Sequence, residues 1–420
     1  MHALHMSLDR RRSKVARLAA IVGFLFLILA LSFLSLKPTV EVSGRPSTQD
    51  LRDARHVWQQ LKRSQSGAAT SVRVEHRTVM ALAALASDAL EVVRIRGGVE
   101  HGKLGAQASL KIPLSLWLNV SATASGSHSA FPDYQLTIGR VVFPVAAGRI
   151  LAKLGRRYLQ MRGATIPPLD KLVQGFSIGE DHVLATVDLP QKTALVDSVV
   201  AARSSSIDYA LVATIFCELA AAQRAQPVMT LSEMLQRTFA RAAAANAAAF
   251  NRAAFVALSL AVVGDKADAL MPRAQQLRLR CEFPKQEIQL RGRSDLAKHW
   301  IFSAALTSAL GSKAAESLGE WKELDDSRPN GSGFSFVDLA ADRAGVQTAV
   351  QAVDTRSARA TAAILSRASD EYLLPKALLK APEGLSNAAF ADRFGALDQE
   401  GYREAVSRIE LVLAQHRDLD

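Results

Sequence analysis

The chain has 420 residues, more than one typical domain holds, so two or three structural units are expected. Its formal net charge is +11 at pH 7, but no basic stripe with interleaved aromatic residues appears, which excludes a nucleic-acid partner and favours an anionic membrane surface. With only Cys217 and Cys281, a disulfide framework is excluded. The two cysteines either pair in an oxidising compartment or lie buried as small hydrophobic side chains, and both alternatives stay open.

Residues 18–36 form a run of 19 residues without a charge, about the length of an apolar helix that crosses a bilayer. Five basic residues precede the run, namely Arg10, Arg11, Arg12, Lys14 and Arg17, whereas only Lys37 and Arg45 follow it closely. This asymmetry predicts a basic cytoplasmic segment at residues 1–17, a transmembrane helix at residues 18–36 and an extracytoplasmic remainder. A cleaved signal peptide has a shorter apolar core of about 7–15 residues, so we favour an uncleaved anchor.

After the anchor, residues 37–70 are polar and predict a stalk with a short amphipathic helix near residues 48–65. Residues 71–190 then show apolar and polar side chains alternating at period two, the pattern of half-buried antiparallel strands. The predicted strands are 72–75, 91–95, 103–112, 115–124, 135–143, 175–178 and 182–189, and the predicted helices are 78–90 and 145–159. Gly97-Gly98, Ser125-Gly126 and Pro132-Asp133 are expected to form turns between strands. In helix 145–159 we expect the four basic side chains to face water; they are Arg149, Lys153, Arg156 and Arg157. The sequence therefore predicts an α+β unit over residues 71–190.

This α+β unit resembles membrane-anchored envelope proteins of the YpmS-like type in its order of elements. Those proteins have an N-terminal anchor, a first helix, long alternating strands and a late helix. The corresponding pieces here are residues 78–90, 103–124 and 145–159. The resemblance implies an extracytoplasmic domain that holds a lipid or a partner protein. The alternative is a sheet domain that only spaces the C-terminal part from the membrane.

Residues 191–420 are predicted to be a helical domain, because helix-forming residues dominate and alanine is abundant. The predicted helices are 193–202, 205–225, 230–263 with a break near Ala249, 267–277, 313–324, 336–350, 356–369 and 387–416, with another beginning at Ser294. Thr230 and Glu233 form a capping-box pattern, and a small hairpin is predicted over residues 278–290. The predicted fold class is thus α+β: a transmembrane helix, an antiparallel-sheet domain with helices, and an all-α domain.

Within the helical domain, residues 294–345 form a core motif in which ionisable residues recur at spacings of three and four. On a helix such residues share a face, so three successive helices each carry a polar side. The candidate site residues are His299, Glu320, Glu323, Asp326, Asp338 and Asp342, with Asp295, Lys322 and Ser335 in support. Ser335 and Asp338 also form a capping pattern that opens the third helix.

Three interpretations of this polar set are possible. Buried acids paired with basic residues can fix the register of a helical bundle, and the basic residues close in sequence are Lys298, Lys322, Arg328 and Arg343. Carboxylates and a histidine on facing helices can also bind a metal ion, here through His299, Glu320, Glu323 and Asp342. Acid–base catalysis is the third interpretation, with Ser327, Ser332 or Ser335 near the substrate. The motif holds no Glu-x-x-His pair and no nucleophile elbow, so we favour the structural network.

The core motif also resembles a known family. It contains Asp295, Lys298-His299, then Glu320-Trp321-Lys322-Glu323-x-x-Asp326, and last Gly333-Phe334-Ser335-Phe336-x-Asp338-x-x-x-Asp342-x-x-Gly345. This order and spacing resemble the YfiM-type lipoprotein family, with its D-K-x-x-H-F, G-K-E-x-x-D and S-x-x-D-x-x-x-D/N-x-x-G patterns. The chain departs from the family at Leu296, Trp300 and Trp321 and lacks a lipid-attachment cysteine. The resemblance implies a proteobacterial envelope location and a fold, but no reaction.

Together these patterns predict a single-pass inner-membrane protein with its bulk in the periplasm and a binding or scaffolding role in the cell envelope. The alternative is a periplasmic hydrolase or metal-binding protein that uses the His/Glu/Asp set. Expected partners are the membrane, through residues 18–36, and a lipid or an envelope protein; the sequence identifies no cofactor. Burial distinguishes the two: a catalytic set must line an open pocket, whereas a structural network is paired and closed from water.

Overall fold

The computed structural model of the protein describes residues 32–41, 48–63, 69–90, 93–125, 133–161, 173–187, 207–240, 247–271 and 273–417. The predicted α+β class is confirmed, since antiparallel sheets are followed by a long series of helices. The predicted cytoplasmic segment 1–17, residues 18–31 of the predicted transmembrane helix and the predicted helix 193–202 lie outside these residues. Among the described helices, none combines the length and the apolar composition that a membrane crossing requires.

Within the described residues, the first half of the chain forms two antiparallel sheets with three helices. Its elements are β1 Leu34–Ser35, α1 Thr48–Arg63, β2 Thr70–Glu75, α2 His76–Ala89, β3 Val93–Glu100, β4 Lys103–Ile112, β5 Leu116–Ser125, β6 Tyr134–Ile138, β7 Val141–Phe143, α3 Val145–Met161, β8 Val173–Ile178 and β9 His182–Val187. The larger sheet has the order β3-β4-β5-β6-β7, with β1 also paired to β5, and the smaller has the order β2-β9-β8. We refer to this half as the sheet unit.

Two predictions for the larger sheet are wrong. Both concern glycines, whose structural role does not follow from the alternation of apolar and polar residues. Gly97 and Gly98 were expected to form a turn, but both lie inside β3, where a Cβ at Gly98 would be 3.0 Å from Cε1 of His76 in α2. The glycines therefore let α2 pack closely on the strand. The predicted strand 135–143 is two strands, because Gly139 adopts a φ of 59° and turns the chain.

The first described residues of the chain pack on the larger sheet. Leu34 and Ser35, predicted as the end of the transmembrane helix, are instead a short strand paired with β5. The backbone then crosses the sheet, where the amides of Thr39 and Val40 donate to Oγ of Ser109 at 3.1 and 3.0 Å. Residues 37–40, the start of the predicted stalk, are therefore packed against the larger sheet.

The second half of the chain is helical. Its helices are α4 Tyr209–Ala225, α5 Leu231–Phe239, α6 Ala247–Val262, α7 Ala274–Arg280, α8 Ser294–Leu310, α9 Ser312–Asp326, α10 Phe336–Val353, α11 Ala358–Leu365, α12 Asp370–Leu373, α13 Asn387–Phe394 and α14 Glu400–Arg417. Short 3-10 turns occur at Pro113–Ser115 in the sheet unit and at Gly264–Leu270 and Lys376–Lys380 in this helical unit. The two units touch where Arg55 of α1 pairs with Asp325 of α9.

The core of the helical unit lies around α8 and α10. Trp300 of α8 is fully buried and donates from Nε1 to the carbonyl of Leu373 at 3.0 Å. A Cβ at Gly345 of α10 would stand only 2.1 Å from the carbonyl oxygen of Trp300. Glycine at this position therefore lets the two helix backbones approach, which positions their polar faces against each other.

Three local predictions for the helical unit can now be judged. The capping box of Thr230 and Glu233 is confirmed at the start of α5. The predicted hairpin over residues 278–290 is wrong, because Arg278 and Arg280 belong to the last turn of α7. The predicted helix 387–416 is two helices, since Gly395 adopts a φ of 76° and breaks the chain between α13 and α14.

The cysteine question is resolved in favour of pairing. Cys217 of α4 and Cys281, directly after α7, form a disulfide with a Cα–Cα distance of 5.1 Å across 64 residues of sequence. The bond ties α4 to the segment that leads into α8.

Candidate functional site

The polar residues of the core motif come from α8, α9 and α10, and the structure sorts them into two neighbouring groups. The first, here called the His299 cluster, consists of His299, Ser303, Lys322, Glu323, Asp326, Asp338 and Asp342. The second, here called the Arg343 cluster, consists of Glu316, Glu320, Arg343 and Glu410. Asp295 lies at the edge of the first group, where it pairs at 2.7 Å with Arg293, whose guanidinium also lies 3.5 Å from Asp338.

His299 lies at the centre of the first cluster. Its Nδ1 is 3.1 Å from each carboxylate oxygen of Asp342 in the facing helix α10. Its Nε2 is 3.6 Å from Oδ2 of Asp338. The spacing of four between the two aspartates places both on one face of α10, so the imidazole is held between two carboxylates.

Asp342 is further fixed by Ser303, whose Oγ donates to Oδ1 at 2.6 Å. The sequence interpretation missed Ser303, because α8 carries many small residues that look like simple packing positions. The available signal was its spacing, since Ser303 follows His299 by four residues and shares its helix face.

Asp338 occupies the first turn of α10. Its backbone amide donates to Oγ of Ser335 at 3.0 Å, which confirms the predicted capping role of Ser335. Its Oδ1 is buried without a hydrogen bond, and the nearest cation is Arg293, with Nη2 at 3.5 Å. Arg293, which the sequence interpretation also missed, thus stands at the outer edge of the cluster.

Glu323 of α9 closes the other side of the cluster. Its Oε2 accepts from the backbone amide of Ser335 at 3.0 Å, and its Oε1 accepts from Nζ of Lys322 at 3.1 Å. The same ammonium donates to Oδ2 of Asp326 at 2.7 Å. The lysine charge therefore sits between two carboxylates at the surface end of the cluster.

For each of these groups, burial and the neighbouring charges shift the pKa in opposite directions. Burial alone would lower the pKa of His299, but the adjacent Asp342 carboxylate outweighs burial and raises it to about 9. Burial raises the pKa of the Glu323 carboxyl to about 7, against the attraction of Lys322. Burial likewise raises the pKa of Asp338, opposed by the charge of His299. At neutral pH the imidazole is therefore protonated.

The Arg343 cluster accounts for Glu320, which the structure separates from His299. The guanidinium of Arg343 is buried and lies 2.6 Å from Oε1 of Glu320, 2.8 Å from Glu316 and 3.2 Å from Glu410 of α14. Burial alone would lower the pKa of Arg343, but Glu316 and Glu320 raise it. One buried arginine thus joins α9, α10 and α14.

The His299 cluster is nearly closed from water. The side chains of His299, Asp342 and Glu323 are 9%, 5% and 0% exposed, and each is hydrogen-bonded within the cluster or to its backbone. None of these three lines the cavity of about 530 Å³ on the sheet unit, which lies around His76, Arg96 and Lys103. The arrangement of these three side chains is that of a paired network that is nearly closed from water, whereas a catalytic set must be open to its substrate.

The same geometry can hold a cation once the His299 imidazole has lost its proton, because histidine binds a metal ion only in its neutral form. His299, Glu323 and Asp342 each offer one ligand atom, and these atoms all lie within 4.8 Å of one another. A set of one imidazole and two carboxylates suits transition metals such as zinc or manganese.

Comparisons of the chain with protein-family models, with curated proteins and with solved structures found no match.

Proposed function

We propose that the chain is a single-pass inner-membrane protein, anchored by the apolar run that begins at residue 18 and ends before the strand Leu34–Ser35, and that it acts as a binding or scaffolding module of the cell envelope. Its sheet unit and helical unit lie in the periplasm. The resemblance of residues 295–345 to a family of envelope lipoproteins agrees with this location, and so does the excess of basic residues before the anchor.

The observation that carries this proposal is the disulfide between Cys217 and Cys281. Structural disulfides form and persist in oxidising compartments, and they are rare in the cytosol, where thiols are kept reduced. Both cysteines of the chain are used in this one bond. The bond therefore supports export of the helical unit across the membrane, as the charge asymmetry around residues 18–36 predicts.

The closed state of the His299 cluster supports a binding or scaffolding role over catalysis. A catalytic set needs its reactive groups exposed to substrate, whereas Glu323 and Asp342 are buried and already paired. The buried guanidinium of Arg343 likewise pairs with three carboxylates, and together the two networks link α8, α9, α10 and α14. Such networks specify how helices fit together, which gives a rigid module.

Topology tests the location directly. A single cysteine at Leu411→Cys, an exposed position of α14, should react with a membrane-impermeant maleimide in intact spheroplasts, because the native cysteines are already bonded. A matched cysteine at Ser7→Cys should react only after lysis, since residues 1–17 are predicted to be cytoplasmic. The opposite pattern, with Leu411→Cys protected until lysis, would refute the proposed topology.

A second candidate function is binding of a divalent metal ion by His299, Glu323 and Asp342. The observation that favours it is the position of Lys322, whose ammonium lies between Glu323 and Asp326. An ammonium between carboxylates stands where a cation is attracted, and the Lys322 side chain is half exposed.

Elemental analysis of the purified full chain distinguishes the two candidates. If a metal binds, the wild type holds about one ion per chain, His299→Asn loses it, and Lys322→Met keeps or strengthens it. The matched control is Glu410→Gln, an acidic residue outside the set. Metal binding would be refuted if the purified wild type contained no metal and its melting temperature did not change when zinc or manganese was added. The His299 cluster would then be a structural network only.

A further inference from the structure

Helix α3 (Val145–Met161) is basic on one side and apolar on its outer side. It contains four basic residues and no acidic one. Three large apolar side chains point outward, with Ile150 59%, Leu154 53% and Met161 78% exposed. Their spacings of four and seven place them on one face of the helix. The exposed basic residues Lys153 and Arg157 lie along one edge of this apolar stripe.

The opposite side of α3 is the one that packs on the sheet unit. The hydroxyl of Tyr134 in β6 donates to the carbonyl of Gly148 at 2.7 Å. A Cβ at Gly148 would stand 3.0 Å from the Tyr134 ring, so glycine lets the helix rest closely on the strand. The stripe of Ile150 and Leu154 therefore faces away from the sheet.

Helix α3 begins next to the point where the chain enters the described structure. The rings of Phe33 and Phe143 lie 6.5 Å apart, and the amide of Arg140 donates to the carbonyl of Ser32 at 2.8 Å. Phe143 precedes α3 by two residues, and Ser32 directly follows the apolar residues 18–31. If those residues span the membrane, α3 starts at the level of the membrane surface.

We propose that α3 lies flat on the periplasmic surface of the membrane, with Ile150, Leu154 and Met161 at the boundary of headgroups and acyl chains. The partner is an anionic phospholipid bilayer. A helix with an apolar stripe, a basic edge and no acidic residue fits such a surface, because burial of the stripe and attraction to the phosphates act together. This inference rests on the proposed membrane anchor, whose position relative to Phe143 brings the helix to the lipid.

The test uses the full chain reconstituted into vesicles of phosphatidylglycerol and phosphatidylcholine. Ile150→Cys is labelled with an environment-sensitive fluorophore, which is possible because the native cysteines are bonded. Lipids that carry a nitroxide on the acyl chain then report contact by quenching. The matched control is Leu411→Cys, another exposed leucine-sized position, which lies in the helical unit. We expect strong quenching at position 150 and none at position 411.

The anchor and the helix are tested separately in this design. Failure of the protein to float with the vesicles would refute the anchor. A protein that floats while position 150 is quenched no more than position 411 would overturn the docking of α3 alone. A blue-shifted fluorophore without nitroxide quenching would show that a protein surface covers the helix, which also overturns the proposal.

A second measurement removes the stripe without touching the core. In a chain with Ile150→Glu and Leu154→Glu, a fluorophore at Met161→Cys should lose its quenching to the level of the control position. Because both substituted side chains are exposed, the melting temperature should stay that of the wild type. Quenching should also fall in vesicles of phosphatidylcholine alone, and equal quenching in the two lipids would overturn the assignment of an anionic surface.

Discussion

Gly319 of α9 leaves the space that the Asp342 carboxylate of α10 occupies: a Cβ at Gly319 would stand 2.9 Å from Oδ2 of Asp342. The carboxylate has little freedom to move away, because His299 and Ser303 both hold it. The absence of a side chain on one helix thus positions a charged group on the next. This glycine was not among the residues that the sequence pattern singled out.

The first prediction concerns Gly319→Ala. Replacing a helical glycine by alanine normally stabilises a helix by about 0.5–1 kcal/mol. Here we expect a net loss of about 1 kcal/mol, because the new methyl group displaces Asp342 from His299. Thermal melting of the purified chain measures the change. The matched control is Gly401→Ala in α14, whose Cβ would meet its nearest atom at an ordinary 3.4 Å and should not destabilise. A stabilised Gly319→Ala variant would contradict the packing described here.

The second prediction concerns the buried arginine of the Arg343 cluster. Arg343→Met leaves the buried carboxylate of Glu320 without its guanidinium partner, and breaking a buried pair in this way costs about 3–5 kcal/mol. Glu410→Gln removes a half-exposed carboxylate and should cost about 1 kcal/mol or less. Melting temperatures of the two variants measure the difference.

A double variant checks the reason for this loss. If the penalty of Arg343→Met comes from the unpaired charge of Glu320, then adding Glu320→Gln should recover part of the stability. A double variant less stable than Arg343→Met alone would show that packing of the arginine side chain, and not the orphaned charge, dominates.

The sequence predicted the elements well where a local pattern determines them. Alternation identified β4 and β5, and side-chain caps identified the starts of α5 and α10. It failed at single glycines with positive φ, because the pattern on both sides of Gly139 and Gly395 continues as if the element were unbroken. The sequence around Gly139 and Gly395 does not distinguish these two glycines from one inside a strand, such as Gly97.

The sequence predicted which residues form the candidate site, but not that they separate into the His299 cluster and the Arg343 cluster. Glu320 and Glu323 are three residues apart, so they share a face of α9 yet differ by about 60° around the helix axis. That angle is enough to direct Glu323 toward His299 and Glu320 toward Arg343. Helical spacing alone does not show where a second helix divides one face between two partners. The pairing of the cysteines, 64 residues apart, likewise depends on tertiary structure.

The third prediction concerns the disulfide. Closing a loop of 64 residues lowers the entropy of the unfolded chain and stabilises the fold by about 4 kcal/mol in the chain-entropy treatment. Reduction of the wild type should therefore lower its melting temperature, and the double variant Cys217→Ser with Cys281→Ser should melt at that lower temperature with or without reductant. Equal melting of oxidised and reduced wild type would show that the bond does not stabilise the helical unit.

The fourth prediction is the dependence of stability on pH. The pKa of His299 is raised from 6.5 to about 9, so the folded chain holds a proton that the unfolded chain releases between these values. The stabilisation is therefore complete below pH 6.5, is on the order of 3 kcal/mol, and is lost as the pH rises through about 9. The pKa of Glu323 is raised from 4.5 to about 7, so its ionisation destabilises the fold over that lower range.

Both shifts act in the same direction, and the melting temperature should fall steadily from about pH 5 to pH 9. His299→Asn should remove the fall between about pH 7 and 9, because the titrating imidazole is gone, and keep the fall at lower pH that Glu323 causes. Glu323→Gln should show the converse: its melting temperature should still fall between about pH 7 and 9 but should change little at lower pH. A wild-type melting temperature that rises with pH over this range would mean that His299 is neutral in the folded chain, and the contact with Asp342 would then not be an ion pair.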